Sequence, residues 1–286
     1  MDIRAIGICL KPDQPQLGPW VREREEWLRE HKIDVMLGPE AASATGGSGV
    51  PRTEFAGQVD LVIVLGGDGT LLAVARAIGR SDVAVLGVNL GTLGFLAEIS
   101  KEELFETLEA VVADGFRTET RMRLDVRITK DGHEFANYLA LNDAVVAKST
   151  LSRMIDLQTW ADDVEVTTYH ADGLIAATPT GSSAYSLSAG GPLLLPGISA
   201  IVLTPICPHA LTQRPLVLPE DCEVRIQLRD KRGGEVHLTV DGQVGRELRE
   251  GEVVELRKST WPLRMLVPPD RSRFEVMRRK LRWGTR

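Results

Sequence analysis

LVIVLGGDGTLL, residues 61–72, is the stretch on which the reading of this chain turns. Its first five residues are apolar, rich in β-branched types and too few for a globular helix, so they read as a strand buried on both faces. Gly66, Gly67 and Gly69 then break the run. Thr70 can cap a helix, and Leu71, Leu72, Val74, Ala75 and Ile78 recur at helical spacing up to Gly79, where that helix would stop. The order is strand, glycine turn, helix. Three glycines in four positions remove the side chains that would hold a polyphosphate away from backbone N–H groups, and a new helix offers its positive end there. Asp68 stands out, because a carboxylate beside phosphate is repelled unless it binds a metal or accepts a proton from a nucleophile. The same spacing also fits an ordinary strand-to-helix turn with an aspartate at its tip.

Around this core the first part of the chain alternates strands and helices. Residues 3–10 (IRAIGICL), 33–37 and 83–88 (VAVLGV) read as strands, and 20–31 and 101–113 as helices. Val21, Trp27 and Leu28 form the inward stripe of the first helix; Leu104, Phe105, Leu108, Val111 and Val112 form that of the second. Residues 38–51 (GPEAASATGGSGVP) are small, polar and glycine-rich, which predicts a mobile surface loop. Alternation of this kind predicts a parallel sheet, with ligands outside the carboxyl ends of its strands, where Asp68 and Asn89 lie.

After Gly115 the pattern changes. Residues 123–129 alternate apolar and polar, Asp131-Gly132 signals a hairpin, and 134–148 returns as one long extended stretch. Further strands are expected at 154–160, 164–169, 174–178, 200–203, 222–228, 235–240 and 253–257, with a short helix within 180–191. Many short strands with almost no helical periodicity indicate an antiparallel sandwich or barrel. The fold class is therefore an α/β N-terminal domain, a parallel sheet with flanking helices, plus an all-β, sandwich-like C-terminal domain. The expected division is residues 1–119, with a C-terminal return over 268–286, and 120–267.

The 286 residues suffice for two domains. A composition of 43% apolar and 26% charged residues is that of a soluble globular protein. The net charge of −6 argues against nucleic acid as the main partner, and the seven basic residues within 271–286 read as a solvated segment. Cys9, Cys207 and Cys222 show no paired spacing; with no signal peptide and no apolar run of membrane length, they point to a reducing cytoplasm and no membrane span. The five histidines form no zinc pattern, so no protein metal site is expected.

Four further stretches carry chemistry. Asn142-Asp143 sits inside the apolar run LALNDAVVA, where an amide and a carboxylate need partners; together they suit an adenine edge or a ribose diol, or alternatively a β-bulge. HADGLIAATPTGSSAYSLS, residues 170–188, packs hydroxyls and a glycine at a bend suited to ribose or phosphate oxygens, with Ala184 and Tyr185 to line a base pocket. A capped helix start explains the same residues, and no GxSxG elbow supports a nucleophilic serine. In TVDGQ, residues 239–243, Asp241-Gly242 is a hairpin turn and only Gln243 hints at a ligand. His209 is as much a core or capping histidine as a functional one.

Taken together, the sequence resembles the NAD kinase family over nearly its whole length. GGDGT at 66–70, NLGTLGF at 89–95, LNDAVV at 141–146, DGLIAATPTGSSAYSLSAGGP at 172–192, TPICPHALTQRPLVLP at 204–219 and VDGQ at 240–243 stand in that family's order. The resemblance implies Mg²⁺-assisted transfer of the ATP γ-phosphoryl group to the 2′-hydroxyl of the NAD adenosine ribose, giving NADP and ADP. It implies Asp68 as catalytic base, with Gly66, Gly67 and Gly69 on the phosphate side and Phe95 among the cofactor-binding residues. Asn142 and Asp143 would hold the adenosine moiety, Asp172 would lie near the nicotinamide, and residues 183–188, including Ser183, Ala184, Tyr185 and Ser188, would close over the nucleotide. Arg153, His170, Thr180 and Gln243 match further ligand contacts. Asp143 stands where many relatives have glutamate, and His170-Ala171 departs from the usual pair before Asp-Gly. A lipid or sugar kinase sharing the GGDG turn and a non-catalytic NAD(P)-binding regulator are the competing readings. Sandwich edges and the resemblance together predict a homodimer or homotetramer.

Overall fold

The computed structural model describes residues 3–91, 93–113, 117–149, 153–230, 235–267 and 272–284. The chain divides into two compact units, Met1–Thr120 with Leu263–Arg286, and Arg121–Pro262. The first opens with β1 (Ala5–Leu10), α1 (Gly18–Glu30), β2 (Asp34–Leu37), α2 (Pro39–Thr45), β3 (Leu61–Leu65), α3 (Asp68–Ala77), β4 (Ala84–Asn89), β5 (Ile99–Ser100), α4 (Leu104–Val112) and β6 (Arg117–Arg121). Every residue of β3 and β4 is buried, as continuous apolar runs in a parallel sheet require. Val21 and Leu28 of α1 are fully buried, while Trp27 packs edge-on to Phe105 of α4 at 5.3 Å.

Two local expectations are corrected by this unit. Residues 39–45 form a helix rather than a mobile loop. Pro39 takes its first position, Ala41 and Ala42 bury against the sheet, and Gly46, at φ 72°, caps its end in the left-handed conformation. Small side chains here serve close approach: a Cβ at Gly18 of α1 would run into the Ala44 carbonyl oxygen. Helix α3 starts at Asp68, two residues before the expected cap at Thr70, with the extended Gly67 as its N-cap.

The second unit contains β7 (Leu124–Lys130), β8 (His133–Ala140), β9 (Asp143–Lys148), β10 (Ile155–Ala161), β11 (Val164–Ala171), β12 (Gly173–Ala177), α5 (Tyr185–Ser188), β13 (Ala200–Ile206), β14 (Leu216–Pro219), β15 (Val224–Asp230), β16 (Val236–Val240), β17 (Val244–Leu248) and β18 (Val253–Lys258). They form two six-stranded sheets, ordered β11-β10-β15-β18-β7-β8 and β14-β13-β12-β9-β16-β17. Pairing within both is antiparallel. Leu124, Val126, Leu157 and Ile226 from the first sheet join Val146, Leu174, Leu203 and Leu238 from the second in one core, which makes the unit a sandwich. The outer face of the second sheet is also covered, since Val145, Ile175, Ala177 and Val202 pack with Ala189 and Leu194.

The expected single stretch over 134–148 is in fact two strands. β8 belongs to the first sheet and β9 to the second, so the chain changes sheets at Leu141 and Asn142. No glycine or proline marks the step: residues 139–147 stay apolar except for Asn142 and Asp143, so the run reads as one extended stretch.

The chain then returns to the first unit as β19 (Leu263–Val267) and α6 (Arg273–Leu281). β19 pairs in parallel with β4, giving the order β2-β1-β3-β4-β19-β6, with β5 beside β4. The basic tail is thus partly helical: Val276 and Met277 are buried and Arg273 pairs with Glu119 at 2.6 Å. Arg271 and Arg286 lie outside the described residues. No helix among the described residues is long and apolar enough to cross a membrane.

Candidate active site

In the first unit the site is built where β3 gives way to α3. The Gly66 amide donates to the Val88 carbonyl at 2.9 Å, tying the turn to β4, and a Cβ there would sit 2.7 Å from that of Thr70. At Gly67 nothing lies within 4 Å of where a Cβ would be, so the backbone faces open space. Asp68 follows as the first residue of α3, and Gly69 is exposed.

The Asp68 carboxylate is seated by the loop that follows β4. Its Oδ2 accepts the Phe95 amide at 2.9 Å, and its Oδ1 accepts those of Leu96 at 3.0 Å and Ala97 at 3.1 Å. Three successive N–H groups make a concave donor set that an anionic oxygen fits. Gly94 is glycine because a Cβ there would strike Asp68 Oδ1. The 94–97 segment therefore orients the aspartate, and Phe95 enters the site through its backbone. Asn89, at the neighbouring strand end, is buried and donates to the Ile99 carbonyl at 3.1 Å, a tie within the fold.

In the second unit the step between β8 and β9 brings together residues that the sequence keeps far apart. Asn142 lies at the step and Asp143 opens β9. The Thr178 amide donates to the Asn142 carbonyl at 2.8 Å, and Thr178 Oγ1 donates to the Leu141 carbonyl at 2.6 Å. Gly181 packs so closely on Asn142 that a Cβ would meet the Asn142 carbonyl oxygen. The segment 178–183, whose last three residues form a 3₁₀ turn, is thereby pinned over Asn142, with Ser183 Oγ donating to the Thr180 carbonyl at 3.0 Å.

This corner holds buried polar atoms without partners. Asn142 Oδ1 and Thr180 Oγ1 have none among the described residues. Asp143 is 4% exposed, and its carboxyl is pushed up to about 7, first by burial and then by the nearby Asp241 carboxylate. Buried polar groups are ordinarily satisfied, so two unpaired oxygens on adjacent segments make this corner a candidate binding site. Ala184 is half-buried beside this corner's 3₁₀ turn, while Tyr185, 48% exposed, and Ser188 lie on the surface of α5. Gln243 is exposed just past the hairpin, its amide donating to the Val240 carbonyl.

Asp172 lies at the other end of the same strands, whereas His170 is on β11 and Arg153 precedes β10, strands of the other sheet. Asp143 pairs with Ala177 and Ala147 with Gly173, so Asp172 is separated from Asn142 by the length of β9, about 16 Å at the usual rise of a strand. There Asp172 pairs with Lys148 at 2.8 Å, and His170 Nδ1 lies 2.6 Å from Asp156 with the His209 ring 5.6 Å away. Arg153 is exposed just before β10.

Thr178 and Gly181, expected near ribose or phosphate, instead shape the second site by packing on Leu141 and Asn142, and Asp241, expected only as a turn residue, holds the same step; their partners lie 37 to 100 positions away, which no local pattern reports. Among the described residues no group of three or more His, Cys, Asp and Glu side chains comes together as a metal cage. A separate cavity of about 250 Å³ in the first unit, lined by Lys11, Asp13, Gln14, Glu40 and Ser43, includes none of the expected site residues.

Comparison with known proteins gives one answer over the whole chain. Residues 6–116 match the model of the ATP-NAD kinase N-terminal domain, and 141–267 that of the C-terminal domain. NAD kinase of Solibacter usitatus is 47% identical over 285 residues, 99% of either chain. NAD kinase of Syntrophotalea carbinolica is 44% identical over 286 residues, 99% of this chain and 100% of its own. Among solved structures, yeast NADH kinase complexed with NADH superposes with a TM-score of 0.92 at 27% identity, covering 100% of this chain and 89% of its own. NAD kinase from Archaeoglobus fulgidus in complex with ATP gives 0.77, also at 27% identity, covering 96% and 99%.

Proposed function

The chain belongs to the NAD kinase family, and from that premise we infer what each part of the two sites does. The activity is that of the family: ATP gives its γ-phosphoryl group to NAD, and NADP and ADP result. Asp68 is the general base. The observation that supports this role is its seat, with both carboxylate oxygens fixed by three backbone amides beside the open face of Gly67. A ribose hydroxyl is a very weak acid, so the reaction needs its O–H to donate to a carboxylate as the new bond to phosphorus forms. The proton passes to Asp68, the bond from γ-phosphorus to the bridging oxygen breaks, and ADP leaves. Gly66, Gly67 and Gly69 with the start of α3 face the phosphates, where positioning and neutralisation of charge supply most of the acceleration.

Asn142 and Asp143 hold the adenosine ribose and base edge, which the unpaired Oδ1 of Asn142 and the buried carboxyl of Asp143 support. Thr180, Ser183, Ala184, Tyr185, Ser188 and Gln243 border that ligand. Asp172, His170 and Arg153 take the nicotinamide side, and the strand-length separation suits the two ends of one extended dinucleotide. A divalent cation, Mg²⁺ in the expected case, would be held chiefly by the ATP phosphates, as this ion commonly is, with Asp68 the one acidic side chain of the glycine turn to meet it. Its chemistry there would be to neutralise charge on the transferred group. The exposed Phe135, Val164 and Val217 on the sandwich edge strands support a homodimer or homotetramer, and three free cysteines support a reducing, cytoplasmic setting.

Incubating the purified protein with NAD, ATP and Mg²⁺ gives NADP. Asp68→Asn keeps NAD binding, measured calorimetrically, while turnover falls by about 10²–10⁴. Near-normal turnover in that variant refutes the base role.

A further inference from the structure

Asp241 occupies a hairpin turn between β16 and β17, with φ 52° at Asp241 and 63° at Gly242. Asparagine would suit that left-handed backbone as well, and would not bring a second carboxylate beside Asp143. Turn chemistry therefore does not account for the aspartate. Its contacts do. Oδ2 accepts the Leu141 amide at 3.0 Å, and Oδ1 accepts the amides of Asn142 at 2.7 Å and Asp143 at 3.2 Å. In return, the Asp241 amide donates to the Asp143 carbonyl at 2.9 Å. Four hydrogen bonds thus hold three successive peptides at the step where the chain leaves one sheet for the other, of which only Asp143 belongs to a strand ladder. Only a carboxylate offers acceptors alone to three converging N–H groups; an asparagine would aim its own donors at them. The residue is 8% exposed, so these bonds are shielded from water.

We propose that Asp241 is the positioning residue of the dinucleotide site, fixing the peptides of residues 141–143 so that the unpaired Oδ1 of Asn142 and the adjoining Asp143 carboxyl are presented to ligand. It acts through those two residues and touches no substrate. This rests on the reading that Asn142 and Asp143 contact the adenosine part of NAD.

The test is steady-state kinetics of Asp241→Asn and Asn142→Ala in the full-length enzyme, with NAD and ATP varied in turn. Asp241→Asn is expected to raise KM for NAD about tenfold or more, the scale of a lost charge-assisted hydrogen bond, while KM for ATP stays within about twofold. Hydrogen exchange of the residue 141–143 amides is expected to quicken in the same variant. KM belongs to the folded molecules alone, so a smaller folded fraction does not disturb it. An unchanged KM for NAD in Asp241→Asn, with a raised one in Asn142→Ala, overturns the positioning role and leaves the ligand assignment standing. An unchanged KM for NAD in Asn142→Ala overturns both. Should Asp241→Asn yield no folded protein, Asp241→Glu keeps the charge but carries its oxygens one methylene too far to seat on all three amides. It is expected to raise KM for NAD by at least about threefold, and a wild-type value there overturns the proposal.

Discussion

Asp143 shows how far a single side chain can be displaced from its solution behaviour by its surroundings. Burial and then the Asp241 charge lift its carboxyl from 3.8 to about 7. A group whose value is higher in the fold than in the unfolded chain binds more protons when folded, so stability falls as pH rises through that interval. The interval here is about 4 to 7, and above it the buried charge is a standing cost. Asp143→Asn is therefore expected to raise the melting temperature at pH 8 and change it little at pH 4. Each tenfold change in proton affinity corresponds to about 1.4 kcal/mol, so the gain is on the order of a few kcal/mol at most. Thermal unfolding from pH 4 to 8 checks this; equal melting shifts at both ends would sink it. That the chain keeps so costly a carboxyl accords with a role in binding rather than in folding.

At the scale of elements, the glycine-rich loop after β4 matters as much as the turn that bears Asp68. Gly94→Ala would push a methyl group into Asp68 Oδ1, and the carboxylate must move. Turnover is expected to fall on the order of 10²-fold, as misplacement by about 1 Å can cost, with the fold retained. Normal turnover in a folded Gly94→Ala enzyme would show that the seat is dispensable. Elements also differ in how legible they are in the sequence. The strand at 61–65 is readable to the residue, because a buried parallel strand leaves an unbroken apolar run. Helix α2 is hidden by its own composition, since the alanines and glycines that permit tight packing on β1 and α1 look like loop. Asn142 and Asp143 are legible as anomalous polar residues, but not the change of sheet that presents them, because no glycine or proline breaks the run there. Asp241 is legible only as a turn, its three partners lying 98 to 100 positions away.

For the whole molecule, the decisive feature is that the first unit is completed by residues from beyond the second. Leu263, Met265, Leu266 and Val267 are all buried, and β19 lies between β4 and β6. A chain ending at Pro262 is expected to lose amide protection throughout β3 and β4 while the 121–262 sandwich keeps it in β12; hydrogen exchange resolved by segment checks this, and persistent protection of β4 would contradict it. The same interleaving orders events on the ribosome. The β-rich unit is contiguous and complete as soon as Pro262 has emerged from the exit tunnel, whereas the earlier-made α/β segment must wait with an open sheet edge for its missing strand. Closure of the α/β sheet is therefore deferred until the whole sandwich has been made, and its nascent strands carry an unpaired edge through that interval, until residues 263–267 arrive.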